Sequence, residues 1–151
     1  MKICFAASSG GHLEEISCLK PIASDGDSFL VTERAVAGAK GWGDKIYYVR
    51  QINRKEPLFV LHFLILFIRA GIIICKERPD YIISTGALMT YPFCVWSKLL
   101  KKKVIYIESF ARVDEPSLTG NLMYPIADLF IVQWEEMLKI FPNATYGGSI
   151  F

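Results

Sequence analysis

The sequence predicts an α/β fold: a Rossmann-like parallel sheet with helices on both faces. Three observations predict it. Short apolar runs alternate with helix-period segments from one end of the chain to the other. The runs are apolar at successive positions, as in strands covered on both sides. The first of them ends in Ser8-Ser9-Gly10-Gly11-His12, a glycine turn that opens a helix. At 151 residues the chain is one domain's worth, read as a single unit over 1–151 without an internal repeat, low-complexity segment or linker.

Residues 3–7 form the first strand, and 13–19 a helix, because Leu13, Ile16 and Leu19 recur on one face. Residues 28–32 are a second strand. The polar, glycine-rich stretch 33–45 reads as a loop with room for a short helix, and 46–49 as a third strand. Pro57 opens a long helix to about residue 76, followed by a strand at 81–84. The helix over 88–100 carries lysines at 98 and just beyond its end, where the helix dipole favours cations. A strand at 104–107, a helix at 116–127, a strand at 129–132, a helix at 135–140 and a tail with Gly147-Gly148 complete the chain.

Composition narrows the function. Hydrophobic residues make up 52% of the chain and the mean hydropathy is +0.32, so some apolar surface is expected to meet a membrane or a partner. A net charge of +2, without a basic stripe interleaved with aromatics, argues against nucleic acid. Cys4, Cys18, Cys75 and Cys94 lie among apolar neighbours with no metal-binding spacing, which predicts reduced core thiols, no metal and no other cofactor. The N-terminus enters a strand directly, without the apolar region of a signal peptide, so an intracellular protein is expected.

Parallel sheets bind ligands outside the carboxyl ends of their strands, which directs attention to the loops there. Gly10 and Gly11 allow a close backbone approach, and the free N–H groups of the following helix suit a diphosphate. His12 at that mouth can move a proton or hold a phosphate. The same residues serve equally as a helix cap, with His12 a plain surface side chain. Thr85-Gly86 is a second close-approach turn. Glu108 ends a central strand, where a carboxylate can bond a sugar or accept a hydroxyl proton; alternatively it caps the next helix or pairs with Arg112. Glu33 lies about 20 residues beyond the glycine turn, as in dinucleotide-binding folds. However, Ser8 to Leu13 does not match G-x-G-x-x-G, and no G-x-x-x-x-G-K-[ST] occurs, which sets aside a Rossmann oxidoreductase and a P-loop ATPase.

Ser8-Ser9-Gly10-Gly11-His12, Ser84-Thr85-Gly86-Ala87, Ile107-Glu108-Ser109 and Leu118-Thr119-Gly120-Asn121-Leu122 through Asp128 together resemble the acceptor-side half of GT-B glycosyltransferases of the peptidoglycan GlcNAc-transferase type. The similarity is greatest to stand-alone versions of that half: the membrane-anchoring subunit of the dolichol-linked GlcNAc transferase and related bacterial capsule and exopolysaccharide subunits. Four loops agree in order and spacing over essentially the whole chain. Ile107 and Ser109 depart from the peptidoglycan enzyme, which has histidine and glutamine flanking the glutamate, so its acceptor contacts do not transfer in detail.

The resemblance implies an acceptor-binding, membrane-recruiting subunit of a two-protein glycosyltransferase in polysaccharide biosynthesis. A donor-binding partner would supply the UDP-sugar site, and the acceptor would be a polyprenyl-diphosphate-linked saccharide. Ser8, Ser9, Gly10, Gly11, Thr85, Gly86 and Asn121 would hold the acceptor and its diphosphate, and His12 or Glu108 would deprotonate the attacking hydroxyl in a metal-independent inverting transfer. Because the chain stops near Phe151, where the donor half would begin, it is expected to be inactive alone. A non-catalytic membrane scaffold and a self-sufficient small nucleotide-binding enzyme remain as alternatives.

The helix over 57–76 bears on localisation. Its core, Leu58 to Ile68, is apolar nearly all round, as in a helix buried on all sides or dipped in lipid. His62 and Arg69 interrupt it, and a crossing would tear apart the sheet on either side. The expectation is peripheral attachment to the cytoplasmic face, with Leu58, Phe59, Phe63, Phe67 and Arg69 at the membrane and flanking cations on anionic headgroups. A core helix is the competing account.

Overall fold

The computed structural model describes residues 1–24, 26–33, 42 and 45–151. Seven strands form one sheet: β1 (Lys2–Ala7), β2 (Asp27–Glu33), β3 (Ile46–Val49), β4 (Tyr81–Gly86), β5 (Lys103–Ile107), β6 (Leu129–Val132) and β7 (Thr145–Tyr146). Their order is β3-β2-β1-β4-β5-β6-β7 and every neighbouring pair is parallel. Phe5 on β1 pairs with Leu30 on β2 and with Ile83 on β4, so β1 and β4 lie at the centre. The chain leaves the centre in one direction through β2 and β3 and in the other through β4 to β7. The crevice between the ends of β1 and β4 is therefore the switch point at which such sheets bind ligands.

Successive residues of a strand point to opposite faces, and in the central strands β1, β2 and β4 both faces are buried. Cys4 and Ala6 of β1 pack into one core with Leu66, Ala70, Ile73 and Ile74 of helix α3 (Phe59–Glu77), Phe93 of α4 (Tyr91–Leu99) and Met123 of α5 (Leu118–Met123). Ile3, Phe5 and Ala7 pack into the other, with Leu13 and Ile16 of α1 (Gly11–Ser17) and Ala23 of α2 (Lys20–Ser24). This is the expected parallel sheet with helices on both sides.

The differences from the sequence reading are local. Helix α2 lies where no element was assigned and the two-residue strand β7 lies at the expected tail, since neither is long enough to set up a period. The helix expected over 116–127 is only Leu118–Met123, and the segment 135–140 forms a 3₁₀ turn, Glu135–Lys139. The loop expected over 33–45 falls largely outside the described residues. Cys4 and Cys94 are buried as expected, but Cys18, at the C-terminal cap of α1, and Cys75, on α3, are exposed. All four are free thiols.

Helix α3 runs between β3 and β4 and packs against α4. Trp96 of α4 lies over Gly71, where a Cβ would come within 2.7 Å of the indole, and donates from Nε1 to the Phe67 carbonyl at 2.9 Å. This contact gives α3 an inner side. Its outer side is apolar and exposed: Val60, Leu61, Leu64, Ile65, Ile68 and Ile72 are each more than half exposed. Of the five side chains assigned to the membrane, Leu58 and Arg69 are exposed, whereas Phe59, Phe63 and Phe67 are half-buried. Phe59 stacks on Phe63, and Phe67 leans on Trp96.

Candidate functional site

At the end of β1 the backbone turns through Ser8, Ser9 and Gly10 into α1. Gly10 has φ 80° and ψ −142°, a conformation that L side chains rarely adopt, so glycine is required there. Glu33, at the end of β2 and buried, accepts from Ser9 Oγ at 2.7 Å and from Ser9 N at 3.2 Å. That carboxylate fixes the turn. Gly10 and Gly11 have no described residue within 4 Å of where a Cβ would be. No side chain caps α1, which leaves the first N–H groups of the turn open to an external acceptor among the described residues.

His12 rests on β4. A Cβ at Gly86 would lie 2.9 Å from His12 Cε1, so the missing side chain is what admits the ring. Thr85, fully buried, donates from Oγ1 to the His12 carbonyl at 2.8 Å and fixes the backbone below it. The side chain of His12 is about 29% exposed, with Nδ1 turned inward 3.8 Å from Glu15 Oε2.

Glu15 is the residue that the sequence reading passed over. It is buried, and its Oε1 accepts from Ser109 Oγ at 3.1 Å and from Phe110 N at 2.7 Å. Its Oε2 and His12 Nδ1 have no hydrogen-bond partner among the described residues, and they lie 3.8 Å apart. An unsatisfied buried carboxylate oxygen beside an unsatisfied ring nitrogen is costly unless a small rotation joins them. Joined, the pair holds the proton on Nδ1 and leaves the Nε2 lone pair free to take a proton. The sequence held one signal for this: Glu15 lies three residues beyond His12 in a helix, on the same face.

His12 and Glu15 open onto a cavity of about 340 Å³ that is also lined by Gly11, Ser109, Phe110, Ala111 and Phe151. Its far wall is the segment after β5. Trp134 donates from Nε1 to the Phe110 carbonyl at 2.7 Å, and Phe110 packs between the rings of Trp134 and Phe151. Gln133 bridges the Glu108 carbonyl and Ile150 N.

Glu108 does not reach this cavity. It is 1% exposed; Oε1 accepts from Ser109 N at 2.9 Å, and Oε2 from Ser117 Oγ at 3.0 Å and Ser117 N at 3.3 Å. A Cβ on Gly120 would sit 1.8 Å from Oε2, so the first turn of α5 is built around the carboxylate. No ion pair joins Glu108 to Arg112 among the described residues. Tyr106 beside it is fully buried, and burial followed by the Glu108 charge pushes its phenol well above the usual range. Neither group lines the cavity.

Of the sequence-assigned residues, the structure therefore brings Gly11 and His12 to the cavity wall. Ser8 and Ser9 belong to the supporting turn, Thr85 and Gly86 lie beneath the imidazole, and Asn121 is exposed on α5 away from the lining. No cluster of His, Cys, Asp and Glu able to hold a metal ion occurs among the described residues.

A family model described as "Oligosaccharide biosynthesis protein Alg14 like" matches residues 32–150. Similar curated proteins are named UDP-N-acetylglucosamine transferase subunit ALG14. That of Homo sapiens is 32% identical over 116 residues, covering 69% of this chain and 54% of its own length. That of Yarrowia lipolytica is 30% identical over 113 residues, covering 71% and 52%. That of Mus musculus is 25% identical, covering 99% and 83%. The chain thus spans about half the length of the human and Yarrowia relatives. Among solved structures, MurG of Acinetobacter baumannii superposes with a TM-score of 0.73 at 15% identity, covering 90% of this chain and 43% of that one. A UDP-N-acetylglucosamine 2-epimerase of Rickettsia bellii superposes with a TM-score of 0.76 at 12% identity, covering 99% and 45%. These two likenesses establish the fold as that of a GT-B-like Rossmann half.

Proposed function

The chain belongs to the Alg14-like family of oligosaccharide biosynthesis proteins, and from that premise we propose that it is the acceptor-side subunit of a glycosyltransferase. The reading rests on one observation above all: a histidine backed by a buried glutamate, opening onto a cavity at the switch point of the sheet. A second protein brings the UDP-sugar, as the name of the relatives suggests, and the cavity lies on the strand-end face that a donor-binding partner would cover. The whole chain, 1–151, acts as one acceptor-binding and membrane-recruiting unit.

The acceptor is a polyprenyl-diphosphate-linked saccharide. Its diphosphate lies against the backbone at Gly10 and Gly11, where no described residue stands within 4 Å of a Cβ position. The acceptor hydroxyl meets His12 Nε2, which takes its proton as the oxygen attacks the anomeric carbon of the donor and UDP departs with the bonding pair. Glu15 stabilises the resulting imidazolium through Nδ1–H. One base and no covalent intermediate suffice for inversion. Glu108 is a positioning residue, acting through the segment that carries Ser109 and Phe110.

Membrane attachment follows from α3. The helix is long and apolar enough to cross a bilayer by length and composition, yet it packs along α4 and joins two strands of one sheet. Its exposed apolar side instead enters the acyl boundary from the cytoplasmic face, as in peripheral proteins.

Transfer by the reconstituted pair tests the reading. Partner alone should be weak and partner with this chain strong. His12→Ala should lower kcat by about 10²-fold or more while the complex still forms. Unchanged enhancement by His12→Ala would leave a scaffold without a chemical part, and robust transfer by the isolated chain would overturn the two-subunit reading. Glu15→Gln separates positioning from folding. The amide oxygen can keep the bonds to Ser109 and Phe110 while its NH₂ donates to His12 Nδ1, forcing the proton to Nε2. The expected outcome is a lowered kcat and an altered pH profile, with KM and melting temperature near wild type.

A further inference from the structure

The geometry points to a discrete binding site for the phosphodiester of an anionic phospholipid, built where the end of β3 meets helix α3. A half-open cavity of about 160 Å³ lies there, floored by Val49, Ile52 and Leu66 and rimmed by Arg50, His62 and Arg69. It is separate from the His12 cavity and shares no residue with it.

The cations are held differently. Arg50 Nη1 lies 3.0 Å from His62 Nε2. A guanidinium only donates, so Nε2 must accept, and the ring proton is on Nδ1, 3.3 Å from Glu56 Oε2. Arg50 Nη2 also reaches Glu56 Oε2, at 3.5 Å. Arg50 is thus held at the rim by His62 and Glu56, and its remaining donors have no partner among the described residues. Arg69, exposed and also lining the cavity, makes no hydrogen bond or ion pair with any described side chain.

Charge and surroundings name the occupant. Two arginines against one carboxylate leave a net charge of one, matched to the single charge of a phosphodiester; a diphosphate would bring a larger charge beside Glu56. The guanidinium fork suits paired phosphate oxygens. Ile65 lines the cavity and also belongs to the exposed apolar side of α3 with Leu61, Leu64 and Ile68. A phosphate seated between the arginines therefore has its acyl chains beside an apolar surface, which a soluble phosphate would not use. The inference rests on the membrane attachment proposed above and adds a specific headgroup contact to it.

Vesicle flotation and co-sedimentation test both. Wild type should bind phosphatidylglycerol vesicles and bind pure phosphatidylcholine vesicles much more weakly. The double variant Arg50→Lys/Arg69→Lys keeps the charge and removes both forks, and should weaken binding to phosphatidylglycerol about tenfold. The control Arg54→Lys/Lys55→Arg, at neighbouring exposed positions, should bind as wild type, and circular dichroism should show all proteins folded. If the Arg50/Arg69 variant binds as wild type, attraction is diffuse and the site is refuted, while attachment itself stands. If wild type floats with neither vesicle, attachment fails first. Inorganic phosphate at constant ionic strength should bind wild type no tighter than the millimolar range; micromolar binding without vesicles would assign the pocket to a soluble phosphate and overturn the lipid assignment.

Discussion

Glu108→Gln distinguishes a structural carboxylate from a catalytic one, and the outcome can be worked from the geometry. The wild-type carboxylate receives three donors: Ser109 N on one oxygen, and Ser117 N and Oγ on the other. The Ser117 hydroxyl accepts from Gly120 N at 2.8 Å, so its own hydrogen is committed to Glu108. A glutamine that turns its carbonyl toward Ser117 directs NH₂ at the Ser109 N–H, and the reverse orientation opposes two donors instead of one. At least one buried donor is left unpaired, and the others lose the assistance of the charge. Each effect is worth about 1–3 kcal/mol, partly offset by no longer burying a charge. A net loss of about 2–3 kcal/mol is expected, which for a chain of this size lowers Tm by roughly 5–10 °C. Transfer per folded molecule, measured well below the new Tm with the partner in excess, should fall by less than about tenfold, since the carboxylate reaches the cavity only indirectly, through Ser109. A fall of about 10²-fold or more with unchanged Tm would refute this reasoning and restore Glu108 as the base.

Other consequences are equally direct. Burial would raise the Glu77 carboxyl, but hydrogen bonds from Lys2, Lys45 and Tyr47 outweigh it and bring it down to about 2, against an ordinary 4.5, while Tyr47 is pushed up to about 12. Because the folded value is depressed, the stabilisation of ~3 kcal/mol is complete above about pH 5 and is lost as pH falls toward 2; denaturant titrations across that window should show it, and Glu77→Gln should flatten it. Gly71→Ala drives a methyl into Trp96 and should cost about 1–3 kcal/mol in chemical denaturation, unless α3 can shift along α4. Leu64→Glu/Ile68→Glu replaces two outward side chains and should abolish flotation with anionic vesicles at an unchanged Tm; flotation that persists would remove α3 from the membrane contact.

The sequence by itself determined the alternation of strands and helices, the two-sided burial of the sheet, the glycine turn with His12 at its mouth, and the apolar character of α3. Each is written in a local period or a short motif, and these depend on neighbours a few residues apart. It also pointed to the family, through four short loop motifs in a recognisable order and spacing. Only the tertiary structure decided what His12 faces. Glu15 is near it in sequence, but what makes Glu15 a buried carboxylate is the segment at Ser109 and Phe110, 94 and 95 residues further along. Glu108 carried the same strand-end signal as a functional residue, and only packing against Gly120 and Ser117 shows it enclosed. Glu33 stands at the spacing of an acidic residue in dinucleotide-binding folds, yet in the structure it ties the glycine turn. The strand order β3-β2-β1-β4-β5-β6-β7 is the physical reason. Local periodicity states that a strand has two buried faces but carries no information about which strand lies beside it, and that adjacency selects the side chains that meet at the carboxyl ends.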